Sequence, residues 1–194
     1  MLLVSVGGWI AIGVIAILVV ALVALVINVY NKMVKGRNRC KDAFSQIDVQ
    51  LTRRFDLIPN LVETVKGYTK HESSILEEFA KARNVYSQAS ESGNVAKAAE
   101  ANNMLTSTIS KLIAVSEAYP ELKANTHYSE MMEELSNTED KIAYTRQFYN
   151  DVVKTYNDLR EVFPNSLVAN MCGFKEAELF KADEASRQNV KVQF

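Results

Sequence analysis

Residues 128–163 read YSEMMEELSNTEDKIAYTRQFYNDVVKTYNDLREVF. Within them Tyr128, Met131, Leu135, Thr138, Ile142, Thr145, Tyr149, Val152, Tyr156, Leu159 and Phe163 follow one another at alternating steps of three and four residues. A period of 3.5 held over five heptads marks a helix packed lengthwise against others, in a bundle or a coiled coil. The two threonines weaken an isolated dimeric seam. A multi-helix bundle tolerates them, because a buried hydroxyl can bond its own helix backbone, so the bundle is the expectation. Asn125 or Thr126 is the expected N-cap and Pro164 the stop.

Three weaker stripes lie upstream. Cys40, Phe44, Ile47, Leu51, Phe55 and Ile58 form one helical face, which Pro59 is expected to kink or end. Val62, Val65, Tyr68, Ile75, Phe79, Ala82 and Tyr86 form the next, closed by the turn composition of residues 90–94. Ala98, Ala101, Leu105, Ile109, Leu112 and Val115 form the third, stopping before Tyr119-Pro120, where a bend leads to Asn125. Downstream, Ser166 to Cys172 has the composition of a short helix closed by Gly173. Residues 181–194 are polar and expected to be flexible, with an extended character at Val190–Phe194. Seven glycines and three prolines in the whole chain favour long helices. The predicted architecture is all-α: an N-terminal transmembrane helix continuing into an antiparallel four-helix bundle.

The transmembrane reading rests on the other end of the chain. Leu2 to Ile27 is almost wholly apolar, and the first charged side chain is Lys32. Such a helix rises roughly 39 Å, enough to cross a hydrocarbon core of about 30 Å. Trp9 and Tyr30 lie about 31 Å apart along it, as amphipathic rings at two membrane interfaces should, and place the span at residues 9–30. A cleavable signal would need a basic start and a small-residue cleavage site, and neither is present. Nor does Cys40, following Asn38-Arg39, suit a lipoprotein. Lys32, Lys35, Arg37, Arg39 and Lys41 flank the span on one side only, which predicts an external N-terminus and a cytoplasmic domain. Two cysteines, Cys40 and Cys172, suit a reducing compartment. Gly7 and Ala11 form one small-xxx-small pair, a feature that membrane helices of ordinary composition also show. The expected division is an anchor over 1–31, a helical-bundle domain over 32–180 and a tail over 181–194.

Charge is uneven. Residues 29–60 carry seven Lys/Arg against three Asp/Glu, and residues 61–194 carry fifteen against twenty. The basic part adjoins the membrane, where anionic lipid attracts it. The acidic remainder argues against nucleic acid as a partner. No glycine-rich phosphate loop, CxxC pair or nucleophile elbow occurs. Neither His71 nor His127 follows a glutamate by three residues, as carboxylate-bridged metal sites in bundles require. His127, Glu130 and Glu134 could share a face and hold a divalent ion, but a solvated charged face is the preferred reading of them. No catalytic residue, cofactor or metal site is expected.

Three polar groups remain to be placed. Arg53 and Arg54, with Asp48 and Asp56, flank the apolar face of the first bundle helix. They read as helix pairing completed by carboxylates on other helices, Glu117 and Glu139 among them, or as a docking site for an acidic partner or lipid head group. Tyr149-Asn150 and Tyr156-Asn157 lie one heptad apart, where buried amides would fix helix register. Tyr119-Pro120 to Asn125 needs only a structural role.

The run from Asp48 through Arg53-Arg54, Asp56, Pro59-Asn60 and Lys66-Gly67-Tyr68 to His71-Glu72 strongly resembles the signature of the LemA family. So do Glu117-Ala-Tyr119-Pro120-Glu-Leu-Lys123-Ala-Asn125, Thr138-Glu139-Asp140 with Arg146, both Tyr-Asn pairs and Phe163-Pro164. The likeness covers nearly the whole chain, anchor included. It implies a bacterial membrane protein with a short external N-terminus, one transmembrane helix and an antiparallel helical domain. Family genes often accompany those of membrane-embedded zinc proteases, which implies a link to envelope quality control by association only.

Three functions compete on these grounds. The first is a non-enzymatic scaffold that self-associates at the cytoplasmic membrane and organises or shapes the bilayer. The second is an adaptor or regulator of a membrane protease or envelope-stress system. The third, a metal-dependent enzyme around His127, is the least supported.

Overall fold

The computed structural model describes residues 6–66 and 72–181. They form α1 (Val6–Lys66), α2 (Glu72–Ser92), α3 (Val95–Ala118), α4 (Pro120–Lys123), α5 (Thr126–Glu161) and α6 (Asn165–Met171), with no strand among them. The expected all-α class holds, and the anchor and the first bundle helix are one element. Tyr68, His71 and the tail from residue 182, including Val190–Phe194, lie outside the described residues.

Helix ends follow from local chemistry. Gly93, at φ +62, takes the left-handed position that closes α2. The Asn94 amide then bonds back to Ala89 O at 3.0 Å, a Schellman closure. Asn94 immediately caps α3, its side chain accepting from the Lys97 amide at 2.9 Å. Asn125 rather than Thr126 caps α5, accepting from the Tyr128 amide at 3.1 Å. Gly173, at φ +70, repeats the left-handed closure after α6, where Phe174 N reaches Ala169 O at 2.9 Å.

Two expectations need correction. Pro59 does not end its helix, because α1 runs on to Lys66. The proline forfeits one backbone bond, but Ile58, Leu61, Val62 and Val65 around it are all buried, and their burial outweighs that loss. The 3.5-residue stripe of α5 also slips. It holds from Tyr128 to Tyr149, after which Val153 is fully buried and Val152 only partly so, while Phe163 lies past the helix end and is 80% exposed. Tyr156, one heptad after Tyr149, is buried again, so the departure within the helix is local to Val152 and Val153. Thr138 and Thr145 are buried within the stripe and bond their own helix, to Glu134 O at 2.7 Å and Lys141 O at 2.9 Å.

The chain divides into two compact units. The larger comprises Lys41–Val153 and the residues from Glu178 onward. Its contacts give an antiparallel arrangement. On α1 and α2, Asp48 and Phe55 meet Tyr86 and Phe79 respectively. On α2 and α3, Gln88 meets Lys97 and Glu78 meets Lys111. On α1 and α5, Phe44 meets Tyr149 and Arg54 meets Glu139. The core holds Ile47, Leu51 and Phe55 of α1, Phe79 and Tyr86 of α2, Leu105 and Leu112 of α3, and Leu135 and Ile142 of α5. Phe55 stacks on Tyr86 with ring centroids 4.6 Å apart.

The smaller unit comprises residues up to Cys40 and Lys154–Ala177. Here α1 is long and apolar enough to cross a bilayer, and that stretch is uncovered by the rest of the chain. A core helix of a soluble protein would be covered. Val29 and Met33, at the end of the stretch, are instead buried in the unit, so the apolar segment passes directly into folded structure. This helix is a candidate membrane span. Gly36 allows close approach, because a Cβ there would lie 2.9 Å from Cδ2 of the Tyr156 ring. That ring is buried and its hydroxyl is held, so it cannot swing aside. Gly36→Leu is therefore expected to lower stability by about 1–3 kcal/mol through overpacking, measured by urea unfolding of the full chain in mild detergent.

Candidate functional site

The most unusual feature of the larger unit is a charge in its core. Arg54 is only 2% exposed. It sits on the buried face of α1, three residues after Leu51 and four before Ile58. Its Nη1 donates to Asn102 Oδ1 of α3 at 2.7 Å, and its Nη2 pairs with Glu139 of α5. Burial pushes the pKa of Arg54 down, Glu139 opposes that, and the like charge of Arg146 adds to it. Burial also lowers Arg146, again with Glu139 opposing. Glu139 thus serves two cations, and Arg146 completes its surroundings by lying over the Phe180 ring, 5.2 Å from the centroid. Arg53, one residue from Arg54, is exposed and pairs with Glu134 at 2.5 Å.

A second polar group ties α1 to α2. The Tyr86 hydroxyl lies 2.7 Å from Asp48 Oδ1 and 2.8 Å from the Thr52 hydroxyl, and Ser90 donates to Asp48 Oδ2 at 3.4 Å. Burial pushes the Tyr86 phenol above its ordinary range; the Thr52 hydrogen bond opposes this, and Asp48 reinforces it.

The asparagines do not act between helices as expected. After Gly173 the chain is extended and bonds to side chains of α5. In the smaller unit, Asn157 Nδ2 donates to Ala177 O at 3.0 Å and Oδ1 accepts from Ala177 N at 2.9 Å. The Tyr156 hydroxyl donates to Lys175 O at 3.0 Å, and burial raises its pKa. In the larger unit, Asn150 Nδ2 donates to Phe180 O at 3.2 Å and Oδ1 accepts from Phe180 N at 2.9 Å. There Tyr149 donates to Glu178 O at 2.7 Å. Each Tyr-Asn pair is a clamp on extended backbone.

The remaining predicted residues are solvent-facing. Asp56, Asn60 and Glu117 are exposed, as are Lys32, Lys35, Arg37 and Arg39 of the basic flank. Trp9 and Tyr30 are exposed at either end of the anchor stretch. Arg37 lies over the Phe174 ring, 5.5 Å from its centroid. His127 and Glu130 are exposed and 3.9 Å apart, while Glu134 is engaged by Arg53. Among the described residues no group of three or more His, Cys, Asp or Glu is placed to hold a metal ion. A shallow groove of about 370 Å³ on α5, lined by Ala143, Arg146, Gln147, Asn150 and Asp151, is open to solvent.

Sequence reasoning missed Asn102 and the segment 174–180. Asn102 is four residues after Ala98 and three before Leu105 on an otherwise apolar stripe, a polar residue in a buried position and hence a readable signal. The segment's bonding groups are mostly backbone and leave no such trace.

Taken together, these features describe an all-α protein with a candidate membrane-spanning helix, in which Asp48, Arg54, Glu139, Asn150 and Asn157 bond within the chain. The sequence profile of the LemA family matches residues 43–194, and the chain belongs to that family. It is 29% identical over 190 residues to magnetosome proteins MamQ 1 and MamQ 2 of Paramagnetospirillum magneticum, covering 86% of this chain and 70% of each relative. It is 26% identical over 162 residues to Protein LemA of Metamycoplasma hominis, covering 82% and 72%. These relatives are bacterial.

Two predictions follow from the geometry. Arg54→Ala is expected to cost about 3 kcal/mol, since it opens a cavity and strands Asn102, whereas the half-exposed Glu139 can turn to water. Arg54→Met should stay within about 1 kcal/mol of wild type and Arg53→Ala within about 0.5 kcal/mol, all read by urea unfolding of the full chain in detergent. Asn157→Ala removes two hydrogen bonds, worth about 1–2 kcal/mol locally. It should speed amide exchange at Ala177 while leaving the α5 interior protected.

Proposed function

We propose that this protein is a non-enzymatic, single-pass scaffold of the LemA type that self-associates at the bacterial cytoplasmic membrane. The carrying observation is the inward use of the polar motif. Asp48, Arg54, Glu139, Asn150 and Asn157 bond within the chain, so their chemistry is taken up in building the fold. The anchor offers a surface for assembly, because its apolar side chains are uncovered and Gly7 and Ala11 are exposed upon it. Lys32, Lys35, Arg37 and Arg39 are exposed beyond the span, which supports an external N-terminus and a cytoplasmic bundle. An array of such copies would organise the bilayer around it.

A second reading, an adaptor for a membrane protein such as a protease, draws on Asp56 and Asn60. They are exposed four residues apart on α1, on one face. Loss of a specific co-purifying partner in the Asp56→Ala/Asn60→Ala double variant, with the fold intact, would favour it.

Extraction in native membrane patches followed by mass measurement separates the two. The scaffold reading expects discrete multiples of the 21.7 kDa chain. A chain found only as a monomer that crosslinks to no second copy would sink it.

A further inference from the structure

We propose that the turn from Val162 to Met171 is a second membrane contact, with the apolar face of α6 seated in the interfacial layer of the bilayer beside the anchor. The inference rests on reading α1 as a membrane span. Leu167 and Met171 are four residues apart on α6 and share a face, and Phe163 precedes them by four more. They are 57%, 86% and 80% exposed, and neighbouring Val162 is 52% exposed. The other side of α6 is spoken for, since Val168 and Ala169 are buried in the unit. A short helix with one buried face and one bare apolar face needs an apolar environment for the second.

The position along α1 says which environment. Gly36 faces Tyr156 of α5, and the two helices run antiparallel. The five residues that carry α5 from Tyr156 to its end at Glu161 advance about 7.5 Å toward Tyr30. Tyr30 is six residues, or about 9 Å, from Gly36. The chain thus leaves α5 near the height of Tyr30. It returns at Phe174, whose ring meets the Tyr30 ring edge-on at 5.6 Å and has Arg37 over it, which puts the return between these two residues of α1. The turn between is thus at the Tyr30 end of the smaller unit, next to the uncovered apolar span.

Composition removes the usual obstacle. Residues 162–174 contain no charged side chain, the longest such run beyond the anchor, and are flanked by Arg160-Glu161 and Lys175-Glu176. Asn165 spends its amide on Leu159 O at 3.0 Å, so that donor need not be desolvated unpaired. A second protein copy is the rival occupant. Lipid is favoured by the nearness of the anchor's uncovered span and by the absence of charge across the whole turn.

Trp9 is the chain's one tryptophan, which makes the test direct. The full-length chain carrying Trp9→Phe and Leu167→Trp is placed in vesicles of mixed zwitterionic and anionic lipid, with or without bromine near the top of the acyl chains. The expected result is blue-shifted emission, strongly quenched by brominated lipid and protected from aqueous iodide. Water-like emission quenched by iodide would overturn the proposal. So would blue-shifted emission that neither agent quenches, because protein would then cover the face. Met171→Trp on the same background gives an independent reading if Leu167→Trp does not fold. The unmodified chain reports on the anchor. If Trp9 escapes brominated lipid, the membrane reading fails; if Trp9 is quenched and the Leu167→Trp signal is not, only the second contact fails.

Discussion

A guanidinium cannot leave water for an apolar core unless it finds acceptors there, because an isolated buried charge costs far more than a domain can spare. Arg54 meets that constraint with groups from two other helices, the amide oxygen of Asn102 on α3 and the carboxylate of Glu139 on α5. Both must arrive at the same height along α1. A helix slipped by one turn in either place would leave the charge unpaired, so the pairing rejects alternative registers more than it adds stability. A well-packed apolar substitute can be as stable as such a pair. Arg54 therefore acts on specificity, selecting one antiparallel arrangement from several with comparable apolar burial.

The extended segment after Gly173 faces a different constraint. Backbone laid along a helix has no ladder to join, since the helix uses its own amides internally. Asparagine answers this because its side chain carries the donor and acceptor of a peptide group at fixed spacing. Asn157 meets both backbone groups of Ala177, and Asn150 both groups of Phe180. In each clamp the preceding tyrosine bonds the carbonyl two residues earlier in the segment. The clamps recur at seven residues on α5 and three on the segment.

What could be read beforehand follows from where the physics is local. The stripe of α5 from Tyr128 to Tyr149, the cap at Asn125, the turn at residues 90–94 and the closure at Gly173 each depend on a few neighbouring residues, and each stands as expected. Of the two outcomes expected at Pro59, a kink or an end, the end is ruled out because the burial of Ile58, Leu61, Val62 and Val65 overrides a local penalty. Val152 misled because its neighbour Val153 takes the fully buried position there, although Tyr156 resumes the heptad. Arg54 and Glu139 were singled out together, yet only the spacing from Leu51 and Ile58 separates a buried Arg54 from its exposed neighbour Arg53. The asparagine clamps were not legible, because their partners are backbone groups 20 and 30 residues away.

This has a consequence for what a family likeness can mean. The residues that make the chain recognisable, Asp48, Arg54, Glu139 and the Tyr-Asn pairs, bond to other parts of the same chain. A motif of that kind identifies an architecture and says little about a ligand. Relatives at 29% and 26% identity carry names as different as MamQ and LemA. Whatever distinguishes their duties must then lie in groups the fold leaves unspent: the uncovered face of the anchor, the bare face of α6, and the exposed Asp56, Asn60 and Glu117. Two of these three surfaces are apolar and belong to the unit that holds the anchor. The physical case for activity at the bilayer is therefore stronger than the case for chemistry in the bundle.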